Sequence, residues 1–215
     1  AGLRLKLGRE AEQRLAKRYT ENVEAYQAYL KGRYFWNKRN RESFDKAITY
    51  FQQALDIDPN YALAYAGLAD SYILKRIFVL LQPGETLQLM EAKAKAAAEK
   101  ALEIDDALAE VHTSLAMVKV KTENDEAGIE REYKRAIEIN PNYATAHHWY
   151  ALYLSDMGHF DEAMAELKRA CEIDPFSLVI NSDIGLVFTT ARNYDLAIEQ
   201  FKKAIEMDQN FPDAH

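Results

Sequence analysis

Apolar and polar positions alternate along this chain with the period of an α-helix buried along one stripe. Leu7, Ala11, Leu15 and Tyr19 follow that spacing near the start; Ala163, Leu167 and Ala170, and again Ala197, Phe201 and Ala204, follow it further on. Only 8 Gly and 5 Pro occur in 215 residues, so long stretches run without a helix breaker. The longest purely apolar run, Ile77 to Leu81, is far below the ~20 residues that a membrane-crossing helix needs. The pattern predicts an all-α protein made of many short amphipathic helices.

Those helices repeat. Pro141 and Pro175 stand 34 residues apart, and each closes the same kind of phrase: Ala136-Ile137-Glu138-Ile139-Asn140-Pro141, then Ala170-Cys171-Glu172-Ile173-Asp174-Pro175. The phrase also occurs at Ala54 to Pro59 and, without its proline, at Ala101 to Asp106 and Ala204 to Gln209. Gly158 to Ala163 aligns with Arg192 to Ala197 at the same 34-residue offset. An Asp-Pro or Asn-Pro pair ends a helix, because proline disfavours helix at the residue before it and donates no N–H. Small residues (Ala151, Ala163, Ala170, Gly185, Ala197, Ala204) fall where paired helices cross closely, and large ones (Phe51, Tyr133, Tyr150, Leu167, Phe201) fall in the gaps between.

These spacings resemble the tetratricopeptide repeat over residues 25–211. The resemblance implies an all-α solenoid, a right-handed superhelix of helical hairpins. Five hairpins are predicted, at about 24–60, 61–106, 107–142, 143–176 and 177–211, with the start of a sixth at Pro212. A longer joining segment, Asn37 to Ser43, is expected in the first. The second carries an insertion of about 13 residues against the family spacing, containing Ile77 to Leu81 and the turn signal Gln82-Pro83-Gly84-Glu85, and predicts two lengthened helices with a partly exposed apolar run. Residues 1–22 are expected to form a leading helix continued from an upstream module, with Thr20 or Asn22 capping the next helix. Ala25 to Arg39 is similar to the opening of repeat arrays at the C-terminal end of bacterial multidomain regulators, which carry a winged-helix, kinase or cyclase domain upstream.

In this family the first helix of each hairpin lines the concave face. Carried over position by position, the resemblance assigns partner contacts to Glu110, Thr113 and Met117 in the third hairpin and to Thr145, His148, Leu152 and Ser155 (with Asp156) in the fourth. It assigns Ser182, Leu186 and Thr189 (with Val179 and Thr190) in the fifth, Leu63, Ala66, Asp70, Ile73 and Leu74 in the second, and Tyr26, Tyr29, Arg33 and Trp36 in the first. These positions lack the Lys, Arg and Asn set with which family members clamp acidic chaperone tails. A mixed apolar and small polar groove suits an extended peptide or an amphipathic helix. The expected function is therefore a scaffold that binds a protein or peptide partner, or another copy of itself; a spacer or self-association role is the alternative.

Composition narrows the chemistry. The formal net charge is −7, which argues against nucleic acid as a partner. The charge is uneven: residues 1–46 hold 12 basic and 6 acidic side chains. Within them Arg33, Lys38, Arg39 and Arg41 mingle with Tyr34, Phe35 and Trp36, which leaves a nucleic-acid contact as a second alternative; packing of the rings within the first hairpin is the simpler account. A lone cysteine, Cys171, permits no intrachain disulfide, suits a cytoplasmic setting, and reads as a small core hydrophobe. The five histidines (His112, His147, His148, His159, His215) form no metal-binding motif, and carboxylate pairs such as Glu130/Glu132 and Asp161/Glu162 suit solvated helix faces. No phosphate-binding glycine loop occurs. The chain is expected to be no enzyme and to take no metal, cofactor or small-molecule substrate.

Overall fold

The computed structural model describes residues 20–77, 84–123 and 125–208. Ten α-helices and no strand occur among them. They pair as α1 (Val23–Trp36) with α2 (Arg41–Ile57), α3 (Ala62–Ile77) with α4 (Leu87–Ile104), α5 (Ala109–Thr122) with α6 (Glu126–Ile139), α7 (Ala144–Asp156) with α8 (Phe160–Ile173), and α9 (Leu178–Thr190) with α10 (Tyr194–Met207). Each first helix also packs on the first helix of the next hairpin, so α1, α3, α5, α7 and α9 form one continuous row. The all-α solenoid is therefore as predicted.

Two kinds of turn alternate, and each has a local cause. Within a hairpin, three turns place one residue in the left-handed region: Arg39 (φ 52°), Gly158 (φ 82°) and Arg192 (φ 60°). Between hairpins, an Asp or Asn caps the outgoing helix in an extended conformation and its side chain accepts the N–H two residues on: Asp58 from Asn60 (3.0 Å), Asp105 from Ala107 (3.0 Å) and Asn140 from Asn142 (3.1 Å). That bond explains the recurrent Ile-Asp or Ile-Asn phrase. It also explains why the second copy keeps its turn after losing the proline: Asp105 supplies the geometry and Asp106 needs none.

The core is built by rings set against glycine and alanine. Phe51 of α2 is fully buried, and a methyl group at Gly32 or Gly67 would stand 2.5 or 2.6 Å from its ring. The same geometry recurs at the other end, where a methyl group at Gly185 would stand 2.7 Å from the Phe201 ring. The second hairpin is tied to the first by Lys75, 1% exposed, whose ammonium lies 2.6 Å from Asp45 and 2.8 Å from Glu85.

Some boundaries differ from expectation. The turn within the first hairpin spans only 37–40, because Asn40 caps α2 through the Ser43 N–H and draws Arg41 to Ser43 into the helix. Asn22, not Thr20, caps α1, accepting from the N–H of Glu24 and Ala25; Thr20 instead donates to Asp58 (2.5 Å). The helices of the second hairpin are 16 and 18 residues long, against 14 for both helices of the third. Gly84 takes φ 87° before α4, while the rest of the inserted apolar run, 78–81, and Pro83 lie outside the described residues, as do the leading helix and the start of a sixth hairpin.

Candidate functional site

The row of first helices curls until its first member meets its fourth. Trp36, the last residue of α1, lies against Trp149 in the middle of α7, with ring centroids 6.1 Å apart across 113 residues of sequence. Both rings are 2% exposed. The inner face of the first hairpin therefore packs onto that of the fourth and closes part of the concave groove.

A polar network occupies the closed part. Ser114 of α5 donates to Asp70 of α3 at 2.5 Å, and the Arg33 guanidinium of α1 lies 3.8 Å from the same carboxylate. Tyr143, at the start of α7, also neighbours Arg33. Burial raises the Asp70 pKa to about 6, against the opposing pull of Arg33 and the Ser114 hydroxyl. Burial likewise raises the pKa of half-buried Glu110, although its own backbone N–H and Arg33 favour the charged form.

The open part lies over hairpins four and five, around a cavity of about 660 Å3 lined by Thr145, His148 and Val179 from these hairpins. The opposite wall comes from the first hairpin: Arg33, Trp36, Lys38 and Arg39. The guanidinium of Arg39 stacks 3.7 Å from the centroid of the Trp36 ring, and that of Arg33 4.5 Å from it. Burial, then the neighbouring Arg33, lowers the Arg39 pKa to about 10. The groove is thus basic along one edge, which position-by-position carry-over did not reveal, since Lys38 and Arg39 lie in a turn and not on a first helix.

The sequence-derived contact residues separate into two sets. Leu186 (47% exposed) and Thr189 are open to solvent, and Thr145 and Leu152 are half-buried. Thr113, Met117, Ser155 and Ser182 are buried, and Met117 belongs to the central core. The Thr113 hydroxyl bonds back to the Ala109 carbonyl and that of Thr189 to the Gly185 carbonyl, so both donors are used within their own helices. His148 is buried with Nε2 2.6 Å from Asp183 of α9. Its neighbour His147 points the other way: Nδ1 lies 2.5 Å from Glu166 and Nε2 3.1 Å from the Pro141 carbonyl. His112 repeats that arrangement one hairpin earlier, with Glu132 at 2.7 Å and the Asp106 carbonyl at 2.8 Å. In both, one imidazole fastens the preceding turn to the second helix of its hairpin.

The rings of the first hairpin are largely used within it. Phe35 stacks on Tyr50 (5.5 Å, 5° between planes), and Lys38 lies 4.6 Å from the centroid of the exposed Tyr34 ring. Cys171, expected in the core, is half-buried and lines a separate apolar cavity of about 670 Å3 between α8, α9 and α10, where burial raises its thiol pKa. Among the described residues no group of three His, Cys, Asp or Glu stands ready to hold a metal ion, and no helix is long and apolar enough to cross a membrane.

Models described as "Tetratricopeptide repeat" match residues 132–165 and 180–211, and one described as "TPR repeat" matches 39–75. Human protein O-mannosyl-transferase TMTC3 is 27% identical over 109 residues, which make up 51% of this chain and 10% of that protein. The chain thus spans a tenth of the length of this curated relative, whose transferase name describes a far larger molecule. Among solved structures, TTC0263 of Thermus thermophilus, "a thermophilic TPR protein", superposes with a TM-score of 0.67 at 20% identity, over 88% of this chain and 94% of that one. YrrB, "a TPR protein with an unusual peptide-binding site", superposes at 0.51 with 22% identity over 96% of each chain.

Proposed function

The chain belongs to the tetratricopeptide-repeat family of protein-interaction scaffolds, and from that premise we propose that the open groove over hairpins four and five holds a peptide segment or helix of a partner protein. The observation that carries this reading is the exposure of Leu186 on α9, the inner-row helix whose first turn, at Leu178 to Ile180, lines the cavity with Thr145 and His148. An apolar side chain left open on the inner face of a solenoid, flanked by polar groups, is the kind of anchor that peptide grooves use. Leu152 and Thr189 extend the same surface. The buried Thr113, Met117, Ser155 and Ser182 support it from beneath, and Glu110 belongs to the polar interior. In this reading the chain performs no reaction itself.

The similarity of residues 25–39 to the opening of arrays in bacterial multidomain regulators supports placing this one in the cytoplasm, as the partner-recognising part of such a regulator. The test of the groove is to select binders from a displayed random-peptide library and measure one by calorimetry. Leu186→Asp is expected to weaken the selected peptide at least tenfold without moving the unfolding midpoint by more than a few degrees. Undiminished binding by that variant overturns the groove assignment.

A further inference from the structure

Four apolar side chains stand in a row on the exposed side of α1. Val23, Tyr26, Leu30 and Tyr34 follow one another at spacings of three, four and four, which puts them on one stripe of the helix, and each is between 46% and 66% exposed. Single exposed apolar residues are ordinary on a protein surface; a continuous stripe marks a face that something covers. None of the four lines the groove cavity, so what covers them is a question separate from the groove.

Position within the array says which face this is. Leu30 stands two residues before the small residue Gly32, as Gly67 stands before Ala69 in α3, Ser114 before Ala116 in α5 and Trp149 before Ala151 in α7. All three counterparts of Leu30 are buried. Two of them meet the hairpin before their own: Gly67 lies against the Phe51 ring of α2, and Ser114 donates to Asp70 of α3. The counterparts of Tyr34, which are Ser71, Val118 and Tyr153, are buried as well. The stripe on α1 therefore continues the inner row one step further, at the place where a preceding element packs in the rest of the array.

We infer that the chain's own residues 1–19, which lie outside the described residues, cover this stripe as a helix laid antiparallel to α1. The join is short and fixed: Asn22 caps α1, and Thr20 donates to Asp58 at the end of α2 at 2.5 Å. With only Thr20 to Asn22 between them, a helix that lies along α1 has to run antiparallel to it. Helix α1 has 14 residues, so the 19 before Thr20 are enough to match its length. Leu7, Ala11, Leu15 and Tyr19 recur every four residues and supply a facing apolar stripe. The charges agree with that direction. Arg14, Lys17 and Arg18 stand nearest the acidic start of α1, with its exposed Glu21 and Glu24, and Glu12 falls level with the exposed Lys31. A second copy of the chain fits less well. A stable interface buries roughly 800 Å2 on each partner, and one stripe of four side chains falls short of that. A segment tethered three residues away needs no such area, because the tether holds it at a high effective concentration.

Amide hydrogen exchange of the whole chain, read by mass spectrometry, tests this. Residues 5–19 are expected to exchange at least tenfold more slowly in the chain than in a synthetic peptide of residues 1–19, since a lone helix of that length is marginal in water. Leu30→Asp and, separately, Leu15→Asp should each bring that exchange to within twofold of the peptide, while α3 stays as slow as before. Peptide-like exchange in the unchanged chain overturns the inference, and so does slow exchange that either variant keeps. Slow exchange that deepens as the chain is concentrated, together with a dimer in sedimentation, gives the stripe to a second copy and overturns it too. If Leu30→Asp also speeds α3, its result reports the fold; Leu15→Asp, which leaves every described residue unchanged, then decides alone.

Discussion

Helix α3, the first of its hairpin, and helix α10, the second of its own, live in different surroundings. Twelve of the 16 residues of α3 are buried, including Lys75 and Asp70, because α1, α2, α4 and α5 surround it. Only Ala197 and Ala204 are buried in α10, and Ile198 and Met207 are 53% and 41% exposed. Yet α10 carries the more regular amphipathic stripe, while α3 is apolar or small nearly all round. A repeat thus takes its stability from the neighbours on either side, and its own pattern states only which face is available. The open groove falls where the inner-row helix α9 keeps Leu186 exposed.

The largest expected effect tests that contrast directly. Phe51 and Phe201 hold the same position in their hairpins, but Phe51 is wedged between Gly32 and Gly67 whereas Phe201 meets Gly185 alone. Phe51→Ala is expected to cost about 3–5 kcal/mol, the range for a fully buried ring. Phe201→Ala should cost about 1–2 kcal/mol, since only part of that ring leaves water. Urea unfolding followed by circular dichroism measures both, and equal losses would show that the two ends are equally cooperative. Amide exchange should give the same order, with α9 and α10 exchanging well before α3.

A second test concerns the middle of the array. Burial opposes protonation of His112, but its bonds to Glu132 and the Asp106 carbonyl outweigh that, so its pKa is raised in the folded state. A raised folded pKa gives stability that is complete below the unfolded imidazole value and fades as pH rises through the folded one. Glu132→Ala is therefore expected to cost about 1–3 kcal/mol near pH 6, through loss of a partly buried charge-assisted bond, and clearly less near pH 9. A cost that does not change with pH would show that Glu132 acts through contacts that need no proton on His112, such as its ion pair with Lys119 at 3.7 Å.

The 34-residue period makes the local half of this structure legible in the sequence. Helix pairing, the Asp/Asn caps and the rings set against Gly and Ala all follow from spacing between neighbours. The closure of the groove does not. That Trp36 reaches Trp149 depends on the small rotation between successive hairpins summed over three steps, and no short stretch of sequence records such a sum. For the same reason Lys38 and Arg39 read as an ordinary basic turn, although they face His148 across the cavity. Family positions place Thr113, Met117 and Ser182 on the binding surface, yet all three are buried, because those positions say which helix side faces inward and not how tightly the next helix covers it.

The smallest expected effect lies in the turn that joins α9 to α10. Gly158 and Arg192 are equivalent, 34 residues apart, and both take a positive φ, 82° and 60°. An L-residue with a Cβ pays roughly 1 kcal/mol there, with the Cβ close to the following carbonyl; glycine is unstrained in the folded state but loses more entropy on leaving the unfolded one. Arg192→Gly is therefore expected to gain no more than about 1 kcal/mol, and Gly158→Ala to lose about the same. The sign of the first is the informative part. Arg192 is exposed and the Arg192 N–H already bonds to the Thr189 carbonyl at 3.0 Å, a bond that glycine keeps. A gain, read as a rise in the urea midpoint of the α9–α10 signal with the rest unchanged, means that the last hairpin is limited by its turn. No gain, or a loss, means that it is limited by how little covers its outer face, since relaxing the turn then leaves the exposed Ile198 and Met207 as they were.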